Sequence, residues 1–109
     1  MSTLKERARF GAQLTYNTAA GTGAYQAFSA ALTQNPAILI FDNQSNTAVT
    51  ISDDGTTNGK TFSAGEALVL DLRTNGPNVK ELTWSIGTLF YANSAAGVGN
   101  FYISVVYAS

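Results

Sequence analysis

The sequence predicts an all-β fold, an antiparallel β-sandwich of jelly-roll type with about eight strands and a short N-terminal arm. Three observations lead there. Apolar residues recur at alternate positions through most of the chain, which is the period of a strand and not of a helix. Clusters of Gly, Asn, Asp and Ser break these runs at short intervals, as turns between short strands do. No heptad pattern or internal repeat is present, which removes coiled-coil and solenoid architectures. At 109 residues the chain is one domain. Residues 1–10 read as the arm and residues 11–109 as the sandwich.

Taken in order, Leu4 to Phe10 is either a single helical turn or an extended arm. Ala12–Tyr16 and Ala24–Leu32 are plausible strands flanking the loop Asn17–Gly23, although the alanines of the second favour helix. After Pro36, the continuous apolar run Ala37–Phe41 suits a strand buried on both faces, and the turn formers Asp42 to Asn46 are expected to end it. Thr47–Ser52 alternates, with Val49 and Ile51 on one face, and completes a hairpin. A polar loop, Asp53–Gly59, leads to extended structure at Thr61–Ser63 and a turn at Ala64–Gly65. In Glu66–Leu72 the leucines 68, 70 and 72 share a face, and Leu70 is expected in the core. Asn75–Asn78 breaks the pattern. Trp84 and Ile86 lead into a strand over Gly87–Ala92, the small-residue loop Asn93–Gly99 follows, and Phe101, Ile103, Val105 and Tyr107 line one face of the closing strand.

Composition narrows the function classes. Charged residues make up 12% of the chain, about half the usual quarter, so a polar but nearly uncharged surface would let subunits pack closely without strong repulsion. The net charge of -1 is uneven: the first ten residues carry +2 and the remainder -3. A domain of that sign has no general attraction for a phosphate backbone, so nucleic acid is not an expected partner. The chain has no Cys and no His. Thiolate nucleophiles, disulfides, thiolate zinc sites and imidazole bases are therefore excluded. The N-terminal stretch lacks the apolar core of a signal peptide, and no run approaches the ~20 apolar residues of a membrane helix.

Four places could hide chemistry. The loop Ser52-Asp53-Asp54-Gly55, with Asn58 nearby, offers oxygen ligands for calcium, but its spacing is not that of an EF-hand, no Glu closes it, and the Asx-turn reading is favoured over calcium. Glu66 and Asp71 could act as paired carboxylates, yet an odd separation along a strand sends them to opposite faces. Serine and threonine hydroxyls lack a His or a Ser-x-x-Lys partner, and the glycines at 87, 97 and 99 do not form a phosphate loop. Trp84, Tyr91, Tyr102 and Tyr107 could form a platform for sugar rings, although strand aromatics more commonly pack. No catalytic constellation survives, so the chain is read as non-enzymatic, with no cofactor and no metal.

From Pro36 onward the order of elements resembles a group of short β-sandwich virion proteins of tailed phages and prophages, encoded among head and tail assembly genes. Gly87-Thr88-Leu89-Phe90-Tyr91 and Gly97-Val98-Gly99-Asn100-Phe101-Tyr102-Ile103-Ser104 are the most specific segments, and the likeness covers about two-thirds of the chain. The resemblance implies a subunit made in the host cytoplasm and placed in the virion. A capsid decoration or cement role is favoured, with the major capsid protein as partner and a homo-oligomer, for which a trimer would fit local three-fold sites. A neck, tail or fibre-base position, or a carbohydrate-binding module, is the alternative. The arm would supply the contacts, through Leu4, Lys5, Arg7, Arg9 and Phe10.

Overall fold

Strands with one apolar face need a second layer to cover it, and the chain supplies two antiparallel sheets. The computed structural model describes residues 8–56, 59–72 and 84–108, and the protein is all-β throughout them. In the first sheet, β1 (Ala8–Phe10) and β2 (Leu14–Asn17) lie end to end along β9 (Gly99–Ala108) and behave as one interrupted strand. On its other side β9 pairs with β4 (Pro36–Ser45), and β7 (Ala67–Asp71) completes that sheet beyond β4. The second sheet runs in the order β3 (Gln26–Ala27), β8 (Tyr91–Ser94), β5 (Val49–Ser52), β6 (Lys60–Phe62). The nine strands among the described residues, two of them collinear, correspond to the eight or so read from the sequence.

The core lies between the sheets. Leu14, Tyr16, Leu39, Phe41, Phe101, Ile103 and Val105 come from the first, and Val49, Ile51, Phe62 and Ala92 from the second. Phe28, Leu32 and Phe90 join them from irregular backbone. Phe62 meets Phe101 edge-on at 5.1 Å and stacks against Phe41 at 5.7 Å, geometries in which ring quadrupoles attract. The alternation along β9 is therefore the clearest structural signal in the sequence, with Phe101, Ile103 and Val105 all buried.

Several elements differ from the pattern expected. Asp42–Ser45 does not end the strand: β4 continues through it because its polar side chains find partners inside the protein. Asn43 is fully buried. Its Nδ2 donates to the carbonyls of Thr47 (3.0 Å), Phe62 (3.2 Å) and Ser63 (3.0 Å). Its Oδ1 accepts from the Ser45 backbone N–H (3.1 Å) and hydroxyl (2.6 Å). One amide thus ties the β4–β5 corner to the end of β6, and a buried polar group is satisfied as burial requires. Ile38 and Ile40, expected inside, are half-buried on the outer face of the first sheet.

Leu70 is also only half-buried, as are Leu68 and Leu72. They face the core side as their spacing predicts, but β7 is an edge strand and the second sheet covers it incompletely. Only Gln26–Ala27 of the expected strand Ala24–Leu32 is regular. The remainder still bonds to the next segment, Phe28 N–H to the Phe90 carbonyl at 2.9 Å and Leu32 N–H to Thr88 at 2.8 Å. Gly87–Phe90 is correspondingly irregular, and β8 instead takes in Asn93 and Ser94. The loop after Tyr16 contains a single 3-10 turn, Thr18–Ala20, capped by Asn17 Oδ1 accepting from Ala19 N–H at 2.9 Å. No helix among the described residues is long and apolar enough to cross a membrane.

Candidate functional site

Of the five expected contact residues, Arg9 and Phe10 are described, and Leu4, Lys5 and Arg7 lie outside the described residues. The described end of the arm is neither helical nor separate from the sandwich. Ala8 pairs with Ala108, Arg9 with Tyr107 and Phe10 with Val106, and Gly11 N–H extends the pairing to the Val105 carbonyl at 2.8 Å. Because side chains alternate along a strand, Arg9 and Phe10 leave β1 on opposite faces. Phe10 is 87% exposed.

Registers on β9, β4 and β7 define what surrounds Phe10 on the outer face of the first sheet. The first row holds Phe10, Val106, Ile38 and Asp71, and the next holds Ser104, Ile40 and Val69. Further along come Thr15, Tyr102, Asp42 and Ala67, then Asn17, Asn100 and Gln44. The face is therefore graded, apolar near Phe10 and polar at the opposite end. At the polar end Gln44 Nε2 donates to Asp42 Oδ2 at 2.6 Å and Asn100 to the Tyr102 hydroxyl at 3.1 Å. Val69 is 60% exposed. The outer positions of Ile38 and Ile40 were hidden in the sequence because an unbroken apolar run reads as buried on both sides.

The other candidates resolve into local structure. In the acidic loop Ser52 Oγ donates to Asp54 Oδ1 (2.9 Å) and accepts from the N–H groups of Asp54 and Gly55, while Thr56 N–H donates to Asp54 Oδ1 (2.9 Å). That is a self-capped turn. Gly55 takes φ +76 and sits against the Tyr91 ring. Asp53 accepts from Trp84 Nε1 at 3.0 Å. Glu66 does not face Asp71. It accepts from Ser63 N–H at 2.8 Å and pairs with Lys60 at 3.1 Å. Those two contacts, the Ser63 N–H foremost, hold its carboxyl below the ordinary carboxylate value.

Trp84 packs edge-on against Phe41 and Phe90. Together with Phe62, Leu68 and Leu70 they line a mainly apolar cavity of about 290 Å3 at the β6–β7 side of the sandwich, rimmed by Asp53 and Lys60. Tyr91 alternates with the buried Phe90 as expected and is half-buried, and Tyr102 lies on the outer face. No family model, curated protein or solved structure matches this chain.

Proposed function

We propose that this chain is a non-enzymatic structural subunit of a tailed-phage particle, with capsid decoration or cementing the favoured role and the major capsid protein the favoured partner. The observation that carries the reading is the apolar end of the first sheet's outer face. An almost fully exposed Phe10 is fixed at the root of a basic arm, in line with half-exposed Val106 and Ile38. A phenylalanine locked in a strand has its ordering cost already met, which favours a contact surface over a mobile tail. Strand order supports the same reading. Counting β1 with β2, successive strands alternate between sheets except at the β5–β6 hairpin, an order compatible with the double Greek key of jelly rolls. The inward packing of Trp84 and its bond to Asp53 argue against a sugar-stacking platform. A neck, tail or fibre-base position would use the same contacts and differ in copy number per particle.

The test is co-sedimentation with particles lacking the subunit. Because β1 belongs to the sheet, the informative changes are Phe10→Ser and removal of residues 1–7, both of which leave β1 paired. Burying one Phe is worth about 1.5–3 kcal/mol, so Phe10→Ser should weaken attachment by roughly tenfold or more. Arg9→Ala should change little beyond its dependence on salt. Equal binding by folded Phe10→Ser protein would remove this surface from the proposal.

A further inference from the structure

At the polar end of the first sheet's outer face the side chains are tied to one another. Two adjacent rows cross it: Thr15, Tyr102, Asp42 and Ala67, then Asn17, Asn100 and Gln44. Ala8 and Leu72, at the limits of the described segments, both sit at the opposite, apolar end, beside Ala108 and Ala37. Tyr102 is half-buried at the centre of the patch, on the strand that β2 and β4 flank. Residues two apart on a strand are about 6.8 Å apart. The 3.1 Å bond from Asn100 Nδ2 to the Tyr102 hydroxyl therefore requires the ring to lean along β9 and not stand off it. On β4 the 2.6 Å bond from Gln44 Nε2 to Asp42 Oδ2 joins the same two rows. In the row beyond Tyr102, Gln13 Nε2 donates to Ser104 Oγ at 3.1 Å. Bonds between side chains are a minority of protein hydrogen bonds, and polar groups on an open face ordinarily bond water. Here three such bonds order one face before any ligand arrives.

We propose that this patch binds a neutral saccharide, with Tyr102 as the ring on which a sugar lies and Asp42, Gln44 and Asn100 as its hydrogen-bonding groups. Of the aromatics expected to serve sugars, Trp84 is turned inward and Tyr91 lies on the second sheet against Gly55, which leaves Tyr102 among these polar rows. Chemistry selects the occupant. A sugar hydroxyl both donates and accepts, so neighbouring hydroxyls need donors and acceptors side by side. The bonds above leave Asp42 Oδ1, Gln44 Oε1 and Asn100 Oδ1 to accept, and the Tyr102 hydroxyl and one N–H of each amide to donate. Asp42 is the one charged side chain in the two rows, so a phosphate, sulfate or carboxylated sugar finds no counter-charge there. The tyrosine offers an apolar body with a polar tip, as the C–H face and hydroxyl rim of a sugar require. Three strands about 4.8 Å apart and two rows about 7 Å apart make a patch roughly 10 by 7 Å, room for one or two sugar rings. Repeated over a particle, such small sites gain avidity, which is where this inference meets the virion reading. The site itself uses none of the Phe10 surface, whose row lies about 13 Å from that of Tyr102.

The test screens the full chain on a glycan array of neutral and anionic oligosaccharides, then titrates a retained neutral one into isotope-labelled protein. The side-chain amide signals of Gln44 and Asn100 should shift along the titration. Tyr102→Ala should weaken binding by roughly tenfold or more. Gln44→Ala should weaken it by about three- to tenfold, the worth of one hydrogen bond. Neither position is buried, so far-UV circular dichroism should be unchanged; if Tyr102→Ala misfolds, Gln44→Ala carries the test. Phe10→Ser should bind the sugar as the parent does, and Tyr102→Ala should still attach to particles, so this site and the decoration role fail separately. No binding of any neutral glycan at roughly 1 mM, where even a weak complex is half formed, would overturn the proposal. So would retention of anionic glycans alone, or binding of a neutral glycan that Tyr102→Ala and Gln44→Ala both leave intact.

Discussion

Replacing Asn43 by Asp changes one atom type in a side chain of the same shape, yet it should be among the most damaging substitutions in the protein. Asn43 Nδ2 sits 3.0–3.2 Å from three carbonyl oxygens in a residue with no exposure. An ionised carboxylate there would face the three oxygens with no hydrogen to offer, so the protonated form is favoured in the folded state. Burial of this kind raises a carboxyl by about 3–5 pKa units. Because pH 7 lies only about 3 units above the unfolded value, at about 1.4 kcal/mol per unit the cost at neutral pH is about 4 kcal/mol for any shift in this range, a large part of the stability of a small domain. The sign follows from linkage. Since the folded pKa lies above the unfolded value of about 3.9, the penalty is absent below that pH. It grows by about 1.4 kcal/mol per pH unit as pH rises toward the folded pKa. Urea unfolding of Asn43→Asp between pH 4 and pH 8 measures this directly, with Asn43→Leu as the control that loses the hydrogen bonds without gaining a titration. A variant within about 0.5 kcal/mol of the parent at pH 7, the range of an ordinary surface change, would refute the buried-amide account. So would a deficit independent of pH.

Two further outcomes separate the core from its margin. Ile103→Ala, at a fully buried position of β9, should cost about 2–5 kcal/mol in denaturant unfolding. Leu70→Ala, on the half-covered β7, should cost measurably less than Ile103→Ala; equal losses would show that the β7 side is closed in solution. Glu66 gives a weaker, exposed case. Its lowered pKa means that its contribution is present above the ordinary carboxylate value and is lost as pH falls through the folded one. Thermal unfolding of Glu66→Gln should therefore converge with the parent at acid pH and fall slightly below it at neutral pH, and added salt should shrink the gap.

What the sequence revealed follows from which signals are local. Face assignment along β9 and β7 was legible because period-two alternation needs no knowledge of the partner strand. Depth was not: Leu70 and Ile103 have the same pattern, and only the strand order makes one an edge residue and the other central. Asn43 was misread for a related reason. Asp-Asn-Gln-Ser is turn chemistry when solvated, and the carbonyls that keep it in a strand come from as far as Ser63. Of the candidate surface, the exposed Phe10 and its neighbour Arg9 were identified, but their separation onto opposite faces depends on pairing with Tyr107 and Val106. Ile38 escaped notice because hydrophobicity alone does not distinguish an outer sheet face from a core, whereas alternation alone set Val69 apart from the leucine face.

The role of β9 also shapes how the fold can be reached. This strand is hydrogen-bonded to β1, β2 and β4, and its register joins Leu14 to Ile103 and Phe41 to the same residue. Until residues 99–108 have been synthesised, β2 and β4 have no strand between them, and the first sheet cannot assemble in its native order. The β5–β6 hairpin can form early, but it has nothing yet to cover its apolar face. Closing such distant contacts is entropically slow, so a growing chain exposes Phe41, Ile51 and Phe62 together from the synthesis of Phe62 until that of β9. Maturation of this domain is therefore gated by β9, and substitutions in β9 should lower the yield of soluble protein more than substitutions of equal equilibrium cost in β5 or β6.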